Sequence, residues 1–168
     1  MSQADRIPTS AALLAIATVS LGAVALALVT QHVFDMQPCP WCVLQRLEFV
    51  VIGAVALLAV ASRSERGLHG AAVGIVALSG VGIATALWHY FVASVSTSCD
   101  RTLADQIMAA TGLDGLLPEV FQARVSCAEA SVTLLGLPYV FWSFAVFVAI
   151  EAVALWLLLR KPASAGWR

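Results

Sequence analysis

Four long apolar stretches, separated by shorter polar ones, organise the chain. From Ala11 to Thr30 there is no charged residue, and at about 1.5 Å per helical residue a run of this length spans the ~30 Å hydrocarbon core of a bilayer. A second stretch runs from Trp41 to Ser62 and is uncharged from Phe49 onward; Arg46 and Glu48 fall in its first turns, where long side chains snorkel to the interface. The third, Gly70 to Val95, is uncharged and carries His89 near its far end, and the fourth, Ser131 to Leu159, contains Glu151. The pattern predicts four spanning helices at about 11–30, 42–62, 70–95 and 131–159. The short connections between the first three force antiparallel neighbours, so the expected fold is an all-α membrane protein, a four-transmembrane-helix antiparallel bundle in one integral domain, 1–168. Ala25-Leu26-Ala27 resembles a signal-peptide cleavage site. The apolar run is nevertheless longer than the ~7–15 residues of a signal h-region, and Asp5 stands beside Arg6 in the preceding segment, so a true span is expected.

Composition agrees. Hydrophobic residues make up 61% and charged residues 11% of the 168, against roughly 45–50% and about 25% in soluble domains. A soluble domain and a disordered chain are both excluded. The formal net charge of −1 offers no electrostatic footprint for nucleic acid.

Basic residues at helix ends set the orientation. Arg6, Arg63, Arg66, Arg160, Lys161 and Arg168 lie in the N-terminus, the second connection and the C-terminus, which marks those parts as cytoplasmic. The first loop, about 31–41, has Asp35 and no Lys or Arg; the third, about 96–130, sets Arg101 and Arg124 against five acidic residues. Both are expected outside. Cys39, Cys42, Cys99 and Cys127 therefore share the outer side, which in a bacterium is the oxidising periplasm.

Cys39-Pro40-Trp41-Cys42 places two thiols three positions apart where a loop enters a helix. A ring this small constrains the unfolded chain little, whereas a helix N-terminus and a nearby cation stabilise thiolate, so redox exchange is the better use. Half of a zinc site is the competing use, but the remaining cysteines, Cys99 and Cys127, lack the matching spacing, and no metal is expected. Haem attachment needs His after the second Cys, where Val43 stands. Cys99 and Cys127 bracket an outer segment; alone they read as a structural disulfide worth roughly 3–4 kcal/mol. With a second dithiol on the same face, the two pairs can instead relay by thiol–disulfide exchange.

Within that segment Leu113, Leu116, Leu117, Val120 and Phe121 recur at one-sided helical spacing, with Pro118 placed to break it. A surface helix, a mobile arm and packing against the bundle all fit. Arg46 follows Cys42 by one helical turn, so its charge can depress the thiol pKa and stabilise a nearby anion. His89, in Trp88-His89-Tyr90-Phe91, is expected level with Cys42, where it serves either a ligand carbonyl or an aromatic interface belt. Glu48 is expected to snorkel or pair, and Glu151 is given no role.

Cys39-Pro40-Trp41-Cys42 with Arg46, the stretch Leu117-Pro118-Glu119-Val120-Phe121 before Cys127-Ala128-Glu129, and Leu135-Gly136-Leu137-Pro138 together resemble the bacterial DsbB family, quinone-linked thiol oxidases of the inner membrane. The resemblance covers nearly the whole chain. It implies reoxidation of a soluble DsbA-type thioredoxin-like partner and electron delivery to the membrane quinone pool, ubiquinone or menaquinone. It further implies that Cys99 forms the mixed disulfide with the partner, that Cys127 is its companion and exchanges with Cys39, and that Cys42 faces the quinone beside Arg46 and His89. Gln45 stands where many relatives carry Glu. A vitamin K epoxide reductase-like protein has its membrane Cys-x-x-Cys after the loop cysteines, the reverse of the order here. A specialised DsbB paralogue serving one dedicated partner, and a metal-binding or structural membrane protein with inert disulfides, remain the other readings.

Overall fold

The computed structural model describes residues 9–62, 64–95 and 102–160. In chain order it contains α1 (Thr9–Val33), α2 (Pro40–Ser62), α3 (Glu65–Phe91), a 3₁₀ turn (Ala93–Val95), α4 (Leu103–Thr111), α5 (Leu113–Leu116), α6 (Pro118–Phe121), β1 (Thr133–Leu134), β2 (Leu137–Pro138) and α7 (Val140–Leu159). Four of the helices, α1, α2, α3 and α7, are long and apolar enough to cross a membrane. Each packs on two neighbours, α1 on α2, α2 on α3, α3 on α7 and α7 on α1, which closes the bundle.

The interior is built from one stripe of each helix: Leu13 and Ile16, Phe49 and Ile52, Ala72 and Ile75, Phe147 and Ile150. Phe49 and Phe147 stack with ring centroids 4.0 Å apart. Gly82 makes room for that pair, because a Cβ at this position would lie 2.3 Å from the Phe147 ring. Polar pairs are also enclosed between helices. Thr85 Oγ1 donates to Glu48 Oε2 at 3.0 Å, and Ser79 Oγ donates to Glu151 Oε2.

Helix bounds differ from the sequence expectation in instructive ways. α1 and α3 are longer than their apolar runs, since helix continues into polar residues beyond the hydrocarbon: Gln31 and His32 in α1, and the turn that opens α3, whose N-cap Ser64 accepts from the Gly67 N–H. The fourth span begins at Val140 rather than at 131. In the intervening residues the chain reverses as a hairpin, Thr133 opposite Pro138 and Leu134 opposite Leu137, with Leu135 and Gly136 at φ 55° and 81°. Two consecutive positive φ values make a tight hairpin turn and break a helix, while Pro138 has no N–H and holds Leu137 extended. The segment between the third and fourth spans therefore reaches to Tyr139.

α4 was not anticipated. Its start carries a full capping box, Thr102 with Asp105, and it ends on Gly112 at φ 67°, the left-handed cap that glycine adopts without cost. The expected one-sided helix over 113–121 is two single turns, α5 and α6, divided where Pro118 takes the first position of α6. Its apolar residues also part company: Phe121 is buried with Val43 and Met108, whereas Leu116 and Leu117 are exposed. Of the arrangements open to this segment, packing against the bundle is the one adopted, with α4 and α6 both lying on α2.

Candidate functional site

The N-terminal end of α2 organises the site. Pro40 is its first helical residue, a position where the missing N–H costs nothing and the fixed φ favours the turn. Cys39 precedes it, its sulfur accepting from the Cys42 backbone N–H at 3.4 Å while its carbonyl accepts from Val43 at 3.0 Å. The thiol thus stands where a capping side chain stands, among the free N–H groups of the helix start. One turn on, Cys42 Sγ lies 2.9 Å from Cys39 Sγ. From α3, His89 Nε2 comes within 3.5 Å of Cys39 Sγ. From the long segment between α3 and α7, Cys127 packs against Cys39, with His89 nearby.

Cys39 is fully enclosed and Cys127 is buried, but their surroundings are not equivalent. Burial holds the Cys39 thiol protonated, well above the ordinary thiol range, and Cys39 S–H is then the main donor that lowers Cys127 to about 5, with His89 assisting. Burial thus favours the proton on Cys39, and the neighbouring donors favour the charge on Cys127. Exchange requires a thiolate facing another sulfur, and that is what this end of the bundle presents.

Arg46 is buried, not spread over a lipid interface. Its Nη1 donates to Gln31 Oε1 at 2.7 Å and to the Val120 carbonyl at 3.0 Å, and Nη2 donates to the Ala27 carbonyl at 3.3 Å. Glu48 is likewise buried against Thr85 and does not snorkel. A cavity of ≈250 Å³ is lined by Cys42, Gln45, Arg46 and His89 together with apolar residues such as Leu26 and Val146. Gln45 Nε2 and His89 Nδ1 are buried without a hydrogen-bond partner, which is costly unless something in the site accepts from them.

Of the six residues singled out from sequence, Cys39, Cys42, Cys127, His89 and Arg46 converge here. Cys99 lies outside the described residues, as do Arg6, Arg63, Arg101, Lys161 and Arg168. Gln31 and Tyr139 were missed. Gln31 joins Arg46 to the Glu119 carbonyl, and the Tyr139 hydroxyl meets Thr30 Oγ1 at 2.9 Å on the rim of the cavity. The available signal was that Gln31 is a polar residue at the end of an apolar run.

The sequence profile described as disulfide bond formation protein DsbB matches residues 9–157. The chain belongs to the DsbB family. Relatives named disulfide bond formation protein B include one from Polaromonas sp., 36% identical over 86% of this chain and 89% of its own length. Another, from Cupriavidus necator, is 35% identical over 88% and 92%, and one from Stutzerimonas stutzeri is 32% identical over 82% and 87%. DsbB membership and the four apolar helices make this a helical membrane protein of disulfide bond formation. Cys39 and Cys42 stand at the head of α2, and Cys127, from the segment between α3 and α7, packs in the same cluster.

Proposed function

We propose that the protein is a disulfide-generating protein-thiol:quinone oxidoreductase of the bacterial inner membrane, reoxidising a periplasmic DsbA-type thioredoxin-like oxidase. The observation that carries this reading is the cavity: it touches Cys42 and Arg46 at once and is otherwise mostly apolar. A quinone ring suits such a space, with an apolar lining for the ring and unpartnered donors on Gln45 and His89 for its carbonyl oxygens. When bound, quinone accepts the electron pair and two protons that a dithiol releases on becoming a disulfide.

The chain's own residues carry the preceding steps. A thiolate of the reduced partner attacks Cys99 of a Cys99–Cys127 disulfide, forming a mixed disulfide and releasing Cys127 as thiolate. The partner's second thiol resolves the mixed disulfide, leaving the partner oxidised and Cys99 reduced. Cys127 thiolate attacks Cys39 of a Cys39–Cys42 disulfide; a Cys127–Cys39 bond forms and Cys42 leaves as thiolate. Cys99 then attacks Cys127, which restores the loop disulfide and frees Cys39, so the electron pair now resides on the Cys39–Cys42 dithiol. Cys42 departs at a helix N-terminus, where negative charge is favoured, and Arg46, which lines the same cavity, holds positive charge there.

In this reading the cysteine-bearing segments face the periplasm, and the termini and the 62–65 connection face the cytoplasm. The test is to purify the protein, identify any co-extracted quinone, and measure quinone-dependent oxidation of reduced thioredoxin-like partners. Quinone-dependent turnover that is lost in Cys42→Ser is expected; thiol oxidation indifferent to quinone overturns the reading. A periplasmic reporter that is active when fused after residue 65 overturns the topology.

A further inference from the structure

Cys39, Cys42 and His89 come from two different helix ends, and their ligating atoms all lie within 4.8 Å of one another. We propose that the fully reduced site is also a binding site for a thiophilic divalent cation of the Zn²⁺ or Cd²⁺ class, held by Cys39, Cys42 and His89 with Cys127 as fourth donor.

Three features support it. The donor set is soft, three thiols and an imidazole, a combination that selects tetrahedral d¹⁰ cations over hard ones. The geometry of three donors is nearly in place, and Cys127, packed against Cys39 but outside that 4.8 Å group, must move in to complete a tetrahedron. Metal–sulfur bonds of ~2.3 Å place tetrahedral sulfurs about 3.8 Å apart, so the Cys39–Cys42 separation of 2.9 Å must open by roughly 1 Å, within reach of a rotamer adjustment at Cys42. Third, Cys39, His89 and Cys127 are buried, whereas Cys42 is only partly buried and, with His89, lines the cavity, which gives a cation a way in. Sequence spacing did not reveal such a site because the zinc half-site it suggested paired Cys-x-x-Cys with Cys99 and Cys127; the imidazole is supplied from α3 instead.

Binding transfers no electrons. Each ligating sulfur that still carries a proton gives it to solvent, a metal–sulfur bond forms at each thiolate, and the cation is redox-inert. A disulfide between any two of these cysteines removes the donors, so the site exists only in the reduced protein. A bound cation in turn withholds the dithiol from oxidation; that consequence, unlike the binding itself, rests on the oxidoreductase reading.

The experiment uses the full chain in detergent micelles, reduced and free of reductant, titrated with Co²⁺ as the spectroscopic probe and then with Zn²⁺. One Co²⁺ per chain is expected, with thiolate-to-metal charge transfer and the intense visible bands of tetrahedral cobalt, displaced by Zn²⁺. His89→Ala should weaken binding by tenfold or more, Cys42→Ser should abolish the bands, and Cys127→Ser should lower the charge-transfer intensity. His89→Gln with an unchanged helical circular dichroism spectrum guards against misfolding. Weak six-coordinate bands, binding equal in the oxidised protein, or an affinity indifferent to both His89 variants overturns the proposal; an unaltered spectrum in Cys127→Ser overturns the four-donor set. None of these readouts involves quinone or a protein partner, so the two proposals fail separately.

Discussion

Arg46 Nη1 donates to the backbone carbonyl of Val120, 74 positions along the chain, at 3.0 Å. The same nitrogen reaches Gln31 Oε1 at 2.7 Å, and Gln31 Nε2 in turn donates to the Glu119 carbonyl at 3.2 Å. One guanidinium therefore ties α2 to the end of α1 and to α6. The segment between α3 and α7 that carries Cys127 is moored by the side chain that, with Cys42, also lines the cavity.

Arg46→Ala should accordingly do two things at once. Charge-assisted hydrogen bonds are worth roughly 1.5–3 kcal/mol, and at ~1.4 kcal/mol per decade their loss corresponds to a tenfold or larger fall in quinone-dependent kcat/KM. The freed outer segment should also become easier to cleave by trypsin at Arg124. Arg46→Lys keeps charge but not the planar fork, so an intermediate kinetic defect with partial protease protection is expected. Wild-type kinetics in Arg46→Ala would remove this residue from the site.

The buried pair of Glu48 and Thr85 yields a stability prediction. Thr85→Val leaves the carboxyl without the hydroxyl that now donates to it, and an orphaned buried polar group costs about 1–3 kcal/mol. Replacing both partners, Glu48→Leu with Thr85→Val, removes the unmatched group and should recover most of that loss. Thermal unfolding in micelles decides it: a double variant no more stable than Thr85→Val contradicts the pairing.

How much of this was legible beforehand depends on which physical signal each feature carries. The four spans follow from uninterrupted apolar runs, a signal that needs no tertiary information, and their polar ends were underestimated because hydropathy reports where the hydrocarbon is and not where the helix stops. The hairpin before α7 was hidden by its own composition. Val132, Leu134, Leu135 and Leu137 are apolar, and the reversal rests on the backbone angles of Leu135 and Gly136. α4 was legible in retrospect from Thr102, Asp105 and Gly112. Among the site residues, Cys39, Cys42 and Arg46 share one helix end and could be grouped from spacing. The approach of His89 to Cys39 is set by how α2 and α3 pack, which no local pattern encodes, and the burial of Arg46 and Glu48 follows from the same packing.

Gly82 tests that packing directly. Gly82→Ala would set a methyl group 2.3 Å from a Phe147 ring that is already stacked on Phe49. The ring has little freedom to swing aside, and overpacking of this kind costs about 1–3 kcal/mol. A lower unfolding temperature is expected, partly restored by adding Phe147→Leu. An unchanged melting curve for Gly82→Ala means that α3 and α7 do not meet at this glycine.

The last prediction concerns where the proton sits between Cys39 and Cys127. The largest influence lowering Cys127 to about 5 is the hydrogen bond from Cys39, with the His89 ring contributing less. Because the shift is downward, Cys127 is thiolate at any pH well above 5, and removing the donor must raise its pKa toward the ordinary value of 9.0. Ultraviolet thiolate absorbance against pH, in protein carrying Cys42→Ser and Cys99→Ser, isolates these two thiols. Adding Cys39→Ala should move the lower titration midpoint upward by a unit or more, so that the thiolate fraction at neutral pH falls; His89→Ala should move it in the same direction by less. Since only the thiolate attacks a disulfide, the same series should slow the reaction of Cys127 with a small disulfide probe at pH 6 in the order of the midpoints. A midpoint unmoved by Cys39→Ala would place the stabilising donor elsewhere, and the assignment of proton to Cys39 and charge to Cys127 would then be wrong.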